Sequence, residues 1–391
     1  MFKFTKLIIL MLSCLILVYC NQKSIDSSDF QDRFALTEED GLVIPLDSVS
    51  PPKAPFIQLL EEDNILTFFN AYNTSIYWYD LSQNEYLERT VLTSEGENQV
   101  LRPVGYHILN RDSIFVFDML KNDLVLLNDK GKKLSVTSLI NNAPMNDNNW
   151  ILSYPQFFPK TVTPFIKVDN KLVFSGSFMW AIPDNILNSF KFTASLSLDN
   201  NEIVYNHSYP KTIYGSKFNW DDPYYTTVHY DWNPIEKLMV YSFPISNSLF
   251  TASLESEDLN EIKALESGSK TVKPISNKRP TREMMLNHLI ESDIYAGIKF
   301  DKYKNVYYRV LMNGLSDTGG FKDLSGKSIS IIIYDHKFNL LGKTNIGTLK
   351  NWNVDNMMVS QDGLLIEYID FQSSNEDYMI FKLFKLIENE N

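Results

Sequence analysis

The sequence predicts an all-β fold, a six-bladed β-propeller of four-stranded antiparallel blades with one short helical insertion, and three observations carry that expectation. A tight polar turn followed by an apolar strand occurs six times. The strands after those turns begin at Ile65, Ile114, Leu172, Leu238, Val306 and Leu364, about 50 to 70 residues apart, a period that suits blades set around an axis and no helix-pair repeat. The 25 Phe and 21 Tyr, against 15 Gly and 16 Pro, favour packed strands over helices.

In chain order the first element is an export signal. Lys3 and Lys6 precede an almost wholly apolar run from Leu7 to Tyr19, and the chain turns polar at Cys20-Asn21-Gln22-Lys23. This run falls well short of the roughly twenty residues that a helix needs to cross a bilayer. No Ala-x-Ala site ends it. Leu17-Val18-Tyr19-Cys20 resembles the cleavage box of bacterial lipoproteins at its first two positions and departs from it at Tyr19, where Gly, Ala or Ser is usual. Met11-Leu12-Ser13-Cys14 is the competing box, with a better residue before the cysteine and apolar residues after it. Residues 1–19 are read as a lipoprotein signal peptide and Cys20 as the lipid attachment site, with Cys14 as the alternative. Each buried lipid methylene contributes about 0.8 kcal/mol, and two or more chains hold a protein stably at a membrane. Cys14 and Cys20 are the only cysteines, so no disulfide is expected in the body. Residues 20–40 are read as the lipidated cysteine and a flexible polar tether, and residues 41–391 as the propeller.

The six turns are Glu62-Asp63-Asn64, Asn110 to Ser113, Asp169-Asn170-Lys171, Asn233 to Lys237, Asp301 to Asn305 and Gln361-Asp362-Gly363. Asn, Asp and Gly suit such turns because they tolerate left-handed backbone or bond to their own main chain. Further strand pairs follow at 75–92, 123–139, 191–210, 248–265 and 328–347, with a single strand at 378–387. An apolar strand, a turn and a more polar strand describe the outward half of a blade. Two β-sandwiches side by side are the alternative architecture. The strand LVIPLD (42–47) lacks a partner in the first unit and is expected to complete the sixth blade beside 378–387. Residues 266–292 break the pattern with a basic cluster (Lys270, Lys273, Lys278, Arg279, Arg282) and a helix capped by Thr281, whose apolar stripe is Leu286, Leu289 and Ile290. That segment reads either as packing across one face or as a ligand lid.

The stretches 229–243 (HYDWNPIEKLMVYSF), 291–311 (ESDIYAGIKFDKYKNVYYRVL) and 362–386 (DGLLIEYIDFQSSNEDYMIFKLFKL) resemble a group of envelope lipoproteins from Bacteroidota, the domain of unknown function 4221. That group is similar to TolB-type six-bladed propellers. The resemblance spans nearly the whole chain through strand-and-turn signatures. It implies the anchor and the fold, and it brings no catalytic residues.

Signatures of catalysis are mostly missing: the sequence has no GxSxG elbow, HExxH helix, Gly-rich phosphate loop or complete calcium loop. The five histidines, His107, His207, His229, His288 and His336, are spread one per region, and no cofactor is expected. The net charge of −12 disfavours nucleic acid and anionic headgroups as partners. One stretch invites a ligand reading, FNWDDPYYTTVHYDWNP (218–234). Its candidate surface is Trp220, Asp221, Asp222, Tyr224, Tyr225, His229, Asp231 and Trp232, because aromatic faces beside carboxylates suit sugar rings. The same rings could instead fill the wedges between blades, as could PQFFPK (155–160) with Trp150 and Tyr154 before it. Two functions remain in competition. The first is an exported, lipid-anchored envelope propeller, at the outer membrane, that binds or scaffolds a protein or glycan partner without catalysis. The second is a propeller hydrolase or lyase acting on an envelope or imported carbohydrate.

Overall fold

The computed structural model describes residues 32–144, 146, 148–218, 220, 222–264, 272–275, 279–315, 323–369 and 376–389. The signal peptide, Cys14, Cys20 and most of the tether lie outside these residues, as do Lys270 and Lys278 of the basic cluster.

Six four-stranded antiparallel sheets form the propeller. Blade 1 holds β2 (Ile57–Leu60), β3 (Ile65–Asn70), β4 (Ser75–Asp80) and β5 (Glu85–Val91), from the axis outward. Blade 2 holds β6 (Pro103–Asn110), β7 (Ser113–Asp118), β8 (Asp123–Leu127) and β9 (Lys133–Ser138). Blade 3 holds β10 (Ile166–Val168), β11 (Lys171–Ser175), β12 (Thr193–Ser197) and β13 (Ile203–Asn206). Blade 4 holds β14 (His229–Asn233), β15 (Leu238–Ser242), β16 (Leu249–Ala252) and β17 (Asn260–Ile262). Blade 5 holds β18 (Ile294–Asp301), β19 (Val306–Met312), β20 (Ser328–Asp335) and β21 (Leu340–Thr348). Blade 6 runs β22 (Trp352–Ser360), β23 (Gly363–Tyr368), β24 (Tyr378–Glu388) and, outermost, β1 (Phe34–Pro45). The strand that follows each of the six predicted turns is the second of its blade. Left-handed backbone occurs in five of those turns, at Asn64, Asp169, Lys237, Asn305 and Gly363. Asn233 and Asp301 brace theirs by accepting main-chain N–H bonds through their side chains.

Antiparallel alternation gives the ring two unlike faces. The turns between first and second strands share one face with those between third and fourth. The connections into each new blade lie on the other, which is the long-loop face.

The ring closes through β1, as the partnerless N-terminal strand predicts, but β1 is longer than 42–47. It pairs with β24 from Phe34↔Glu388 to Pro45↔Tyr378, with an irregularity between Asp40 and Val43. Residues 34–40, read above as tether, are therefore strand. Their polarity has a physical reason: an outermost strand faces solvent and needs main-chain partners more than apolar side chains. Lys385 bonds Glu39 at 2.6 Å and Lys382 bonds Asp40 at 2.9 Å across the pair. The chain end also rests on blade 5, where Gly342 leaves room: a Cβ there would sit 1.8 Å from the Phe34 carbonyl.

Aromatic wedges fill the space between blades. Phe192, Tyr209, Tyr214, Tyr241 and Phe243 pack edge-on, with ring centroids 4.7 Å apart for Tyr209 and Tyr214. Between blades 4 and 5 lies a buried cation, Arg309. Its guanidinium donates to Ser242 Oγ and to the carbonyls of Ser246, Asn247 and Ser248, and stacks 3.6 Å from the Tyr295 ring centroid.

The helical insertion is α2 (Arg282–Glu291), which follows a four-residue turn of helix, α1 (Pro223–Thr226). Thr281 caps α2 by accepting the Met284 N–H. Its packed stripe is Met285, Leu289 and Ile290, whereas Leu286 is 47% exposed and does not join it. The rotation is set by His288, which bonds Tyr225 Oη, and by Lys327, whose ammonium caps the carbonyls of Leu289, Ile290 and Ser292. The described part of the segment packs on the core, in line with the first reading of it, and lines none of the cavities described below.

Candidate functional site

Strand β14 and the loop before it scatter the predicted ligand surface instead of assembling it. Trp220 is buried and donates its indole N–H to the Ile213 carbonyl. Tyr225 and Tyr230 are buried as well, the latter bonded to the Pro164 carbonyl. Asp222 caps α1 through the Tyr224 N–H, with Pro223 in the first turn. Asp221 lies outside the described residues. Of the four candidate rings, Trp220 and Tyr225 are thus buried, whereas Tyr224 and Trp232 are half-buried. Two-residue alternation along β14 sends Tyr230 into the wedge between blades and turns His229 and Asp231 towards the axis. Tyr224 and His229 line a cavity on the long-loop face, whereas Asp231 and Trp232 open on the short-turn face.

The axis itself is closed by the loop that leads into β10. Thr161, Val162 and Thr163 are buried. Thr161 Oγ1 accepts the Ile57 N–H of blade 1 at 2.9 Å and donates to Asn356 Oδ1 of blade 6 at 2.6 Å. Its carbonyl accepts from Lys299 Nζ of blade 5 at 3.1 Å. Val162 N–H reaches the Asp355 carbonyl, and Lys160 Nζ lies 2.8 Å from Asp355 Oδ2. Gly297 makes the fit possible, since a Cβ there would lie 2.7 Å from Val162 Cγ2. A segment from blade 3 is therefore bonded to blades 1, 5 and 6, and plugs the channel. Behind it Asn356 and Asn353 both donate to Glu367 Oε2. Burial pushes the Glu367 carboxyl up to about 7, and its Oε1 has no partner among the described residues.

Beside the plug, on the long-loop face, a cavity of about 280 Å³ is lined by Phe158, Lys160, Thr163, Ser175, Tyr224 and His229 among others. Phe158 is 45% exposed, and Trp180 in the following blade loop is 49% exposed. Burial, with the nearby charges of Lys160, Arg309 and Lys299, pushes the His229 imidazole down to about 3. The ring is neutral at any physiological pH, and its Nδ1 is unpartnered among the described residues.

On the short-turn face the axis opens into a second cavity of about 400 Å³, lined by the first strands of all six blades. Its titratable groups are Glu61, His107, Lys167, Asp231, Lys299 and Lys302. Burial lowers Lys299 and raises Asp231 from their ordinary values, while each partly restrains the other through its charge. Burial pushes His107 down to about 4, assisted by Lys167. The sequence reading passed over Lys299 and Thr161. A lone lysine inside the apolar strand IYAGIKFD was the available signal for the first; nothing local marks the second. Among the described residues no three His, Cys, Asp or Glu side chains are placed to hold a metal ion.

The sequence profile described as "Domain of unknown function (DUF4221)" matches residues 33–345. The chain belongs to this family. No curated protein matches it in sequence. A crystal structure of a DUF4221 family member from Bacteroides vulgatus aligns with 20% identity and a TM-score of 0.76, over 92% of this chain and 100% of that one. A protein from Bacteroides fragilis, described as a candidate exported protein, aligns with 11% identity and a TM-score of 0.53, over 93% of this chain and 98% of that one. At these identities the likenesses show the fold of the DUF4221 chain, the six-bladed propeller. No helix among its described residues is long and apolar enough to cross a membrane.

Proposed function

We propose that this DUF4221 chain is a binding module of the bacterial cell envelope, exported and held at the outer membrane by a lipid on Cys20, that engages a protein or glycan partner through its long-loop face. The plugged axis carries this reading. Thr161 to Thr163 replace a through-channel with a fixed floor, and beside that floor a recessed, largely apolar pocket opens next to the exposed Phe158. Such a pocket, with a few hydroxyls and a neutral imidazole at its wall, suits recognition of an uncharged surface. The apolar run ending at Cys20 supports the location, as does a structural neighbour from Bacteroides fragilis described as a candidate exported protein.

Crosslinking in intact cells followed by mass spectrometry tests the partner. The wild type should capture a discrete envelope component that a Phe158→Ala, Trp180→Ala double variant, both at exposed positions, loses while keeping its melting temperature. Capture unchanged by the double variant would remove the face from consideration. Labelling with a fatty acid analogue should mark the wild type and not Cys20→Ala; a mark that survives moves the anchor to Cys14.

A hydrolase or lyase acting on carbohydrate is the second reading, favoured by the oppositely shifted Asp231 and Lys299 beside His107 at the axial mouth. Turnover of a glycan that Asp231→Asn abolishes without loss of binding would decide for it.

A further inference from the structure

The short-turn cavity contains a charge that the fold leaves incomplete. Lys299 is 6% exposed, yet among the described residues its ammonium makes a single hydrogen bond, to the Thr161 carbonyl. An ammonium has three donors, so two remain unused. No described carboxylate lies within ion-pair distance of it; the acid whose charge reaches it, Asp231, is aimed instead at the N–H groups of Trp232 and Phe300, one on each oxygen. A buried cation is stable when a counter-charge or further acceptors complete it. The cavity wall carries Lys167, Lys299 and Lys302 against Glu61 and Asp231. Lys302 is already paired with Glu61 at 2.8 Å, and Lys167 is exposed at the rim. One positive charge is in excess, within a chain whose net charge is −12.

We propose that this axial cavity binds a sugar acid, with the ligand carboxylate seated on Lys299 Nζ and Lys167 closing over it at the rim. The volume of about 400 Å³ lies near the lower end of small-molecule sites, roughly 300–1,000 Å³, and suits one ring. A single carboxylate matches the single excess charge, whereas a phosphate group, near −2, overshoots it. Glu61 Oε1 stands unpartnered among the described residues at the same wall and is an acceptor for a ligand hydroxyl, which a sugar acid supplies together with its carboxylate. This site lies on the face opposite the pocket beside the plug and stands independently of the binding function proposed for that pocket; it is the cavity of the second reading, and it requires no turnover.

Titration calorimetry of the mature, detergent-solubilised protein at pH 7 with D-galacturonate, D-galactose and inorganic phosphate tests it. Galacturonate should bind, with galactose weaker by about tenfold or more, as for a lost charge-assisted hydrogen bond. Lys299→Met should erase that preference without lowering the melting temperature, because it removes a buried charge at similar volume. Lys167→Ala, at an exposed position, should weaken galacturonate binding several-fold, and Asp231→Asn should tighten it. Binding of neither sugar, equal binding of both, tighter binding of phosphate, or a preference that survives both lysine substitutions would overturn the proposal.

Discussion

Glu367 shows how one buried side chain sets a pH dependence for the propeller. Its carboxyl is held near 7 against a usual value of about 4.5, because the two asparagine amides offset only part of its desolvation. The folded chain keeps a proton that the unfolded chain sheds above about pH 4.5. Stability therefore falls as pH rises from about 4.5 to about 7, and is flat beyond. Glu367→Gln keeps an acceptor for Asn353 and Asn356 and removes the slope. The variant should match the wild type near pH 4.5 and exceed it at pH 8 by about 3 kcal/mol, read as the difference between their urea midpoints. A difference independent of pH would mean the carboxyl is ionised in the fold. Comparing the two chains isolates this group from His107 and His229. Their lowered values act in the opposite sense, costing stability as pH falls below about 6.5.

At the scale of elements, legibility followed local chemistry. The six turns could be read because Asn, Asp and Gly do something there that other residues do poorly. The second and third strands could be read because they are apolar on both faces, as in Ile329 to Tyr334 of β20. First strands were harder: β10 is three residues long, and β14 alternates polar and aromatic residues in a way that imitates a binding surface. Strand β1 was partly illegible because FALTEED has the composition of a tether and acquires strand structure only from β24. A chain begun at Gly41 tests that element. Loss of Phe34 to Asp40 should expose the edge of β24, lower the melting temperature by several degrees and promote association. A true tether would be removed without effect. The candidate site was least legible of all, since the plug and the Lys299 pocket depend on residues from blades 1, 3, 5 and 6 meeting at an axis, and no spacing along the chain encodes that meeting.

The molecule as a whole is a ring whose two ends are neighbours. Asn389 donates its main-chain N–H to the Arg33 carbonyl and its side-chain amide to that of Asp32. Closure by β1 means that, among the described strands, the earliest to leave the ribosome is paired with the latest. Until Tyr378 to Glu388 arrive, β1 lacks the strand that it pairs with along its length. Its run Glu38-Glu39-Asp40 then has a second use beyond its later bonds to Lys382 and Lys385. Three adjacent negative charges make a waiting strand a poor template for other chains. The same charges that later bond Lys382 and Lys385 thus guard the strand before those lysines are in place.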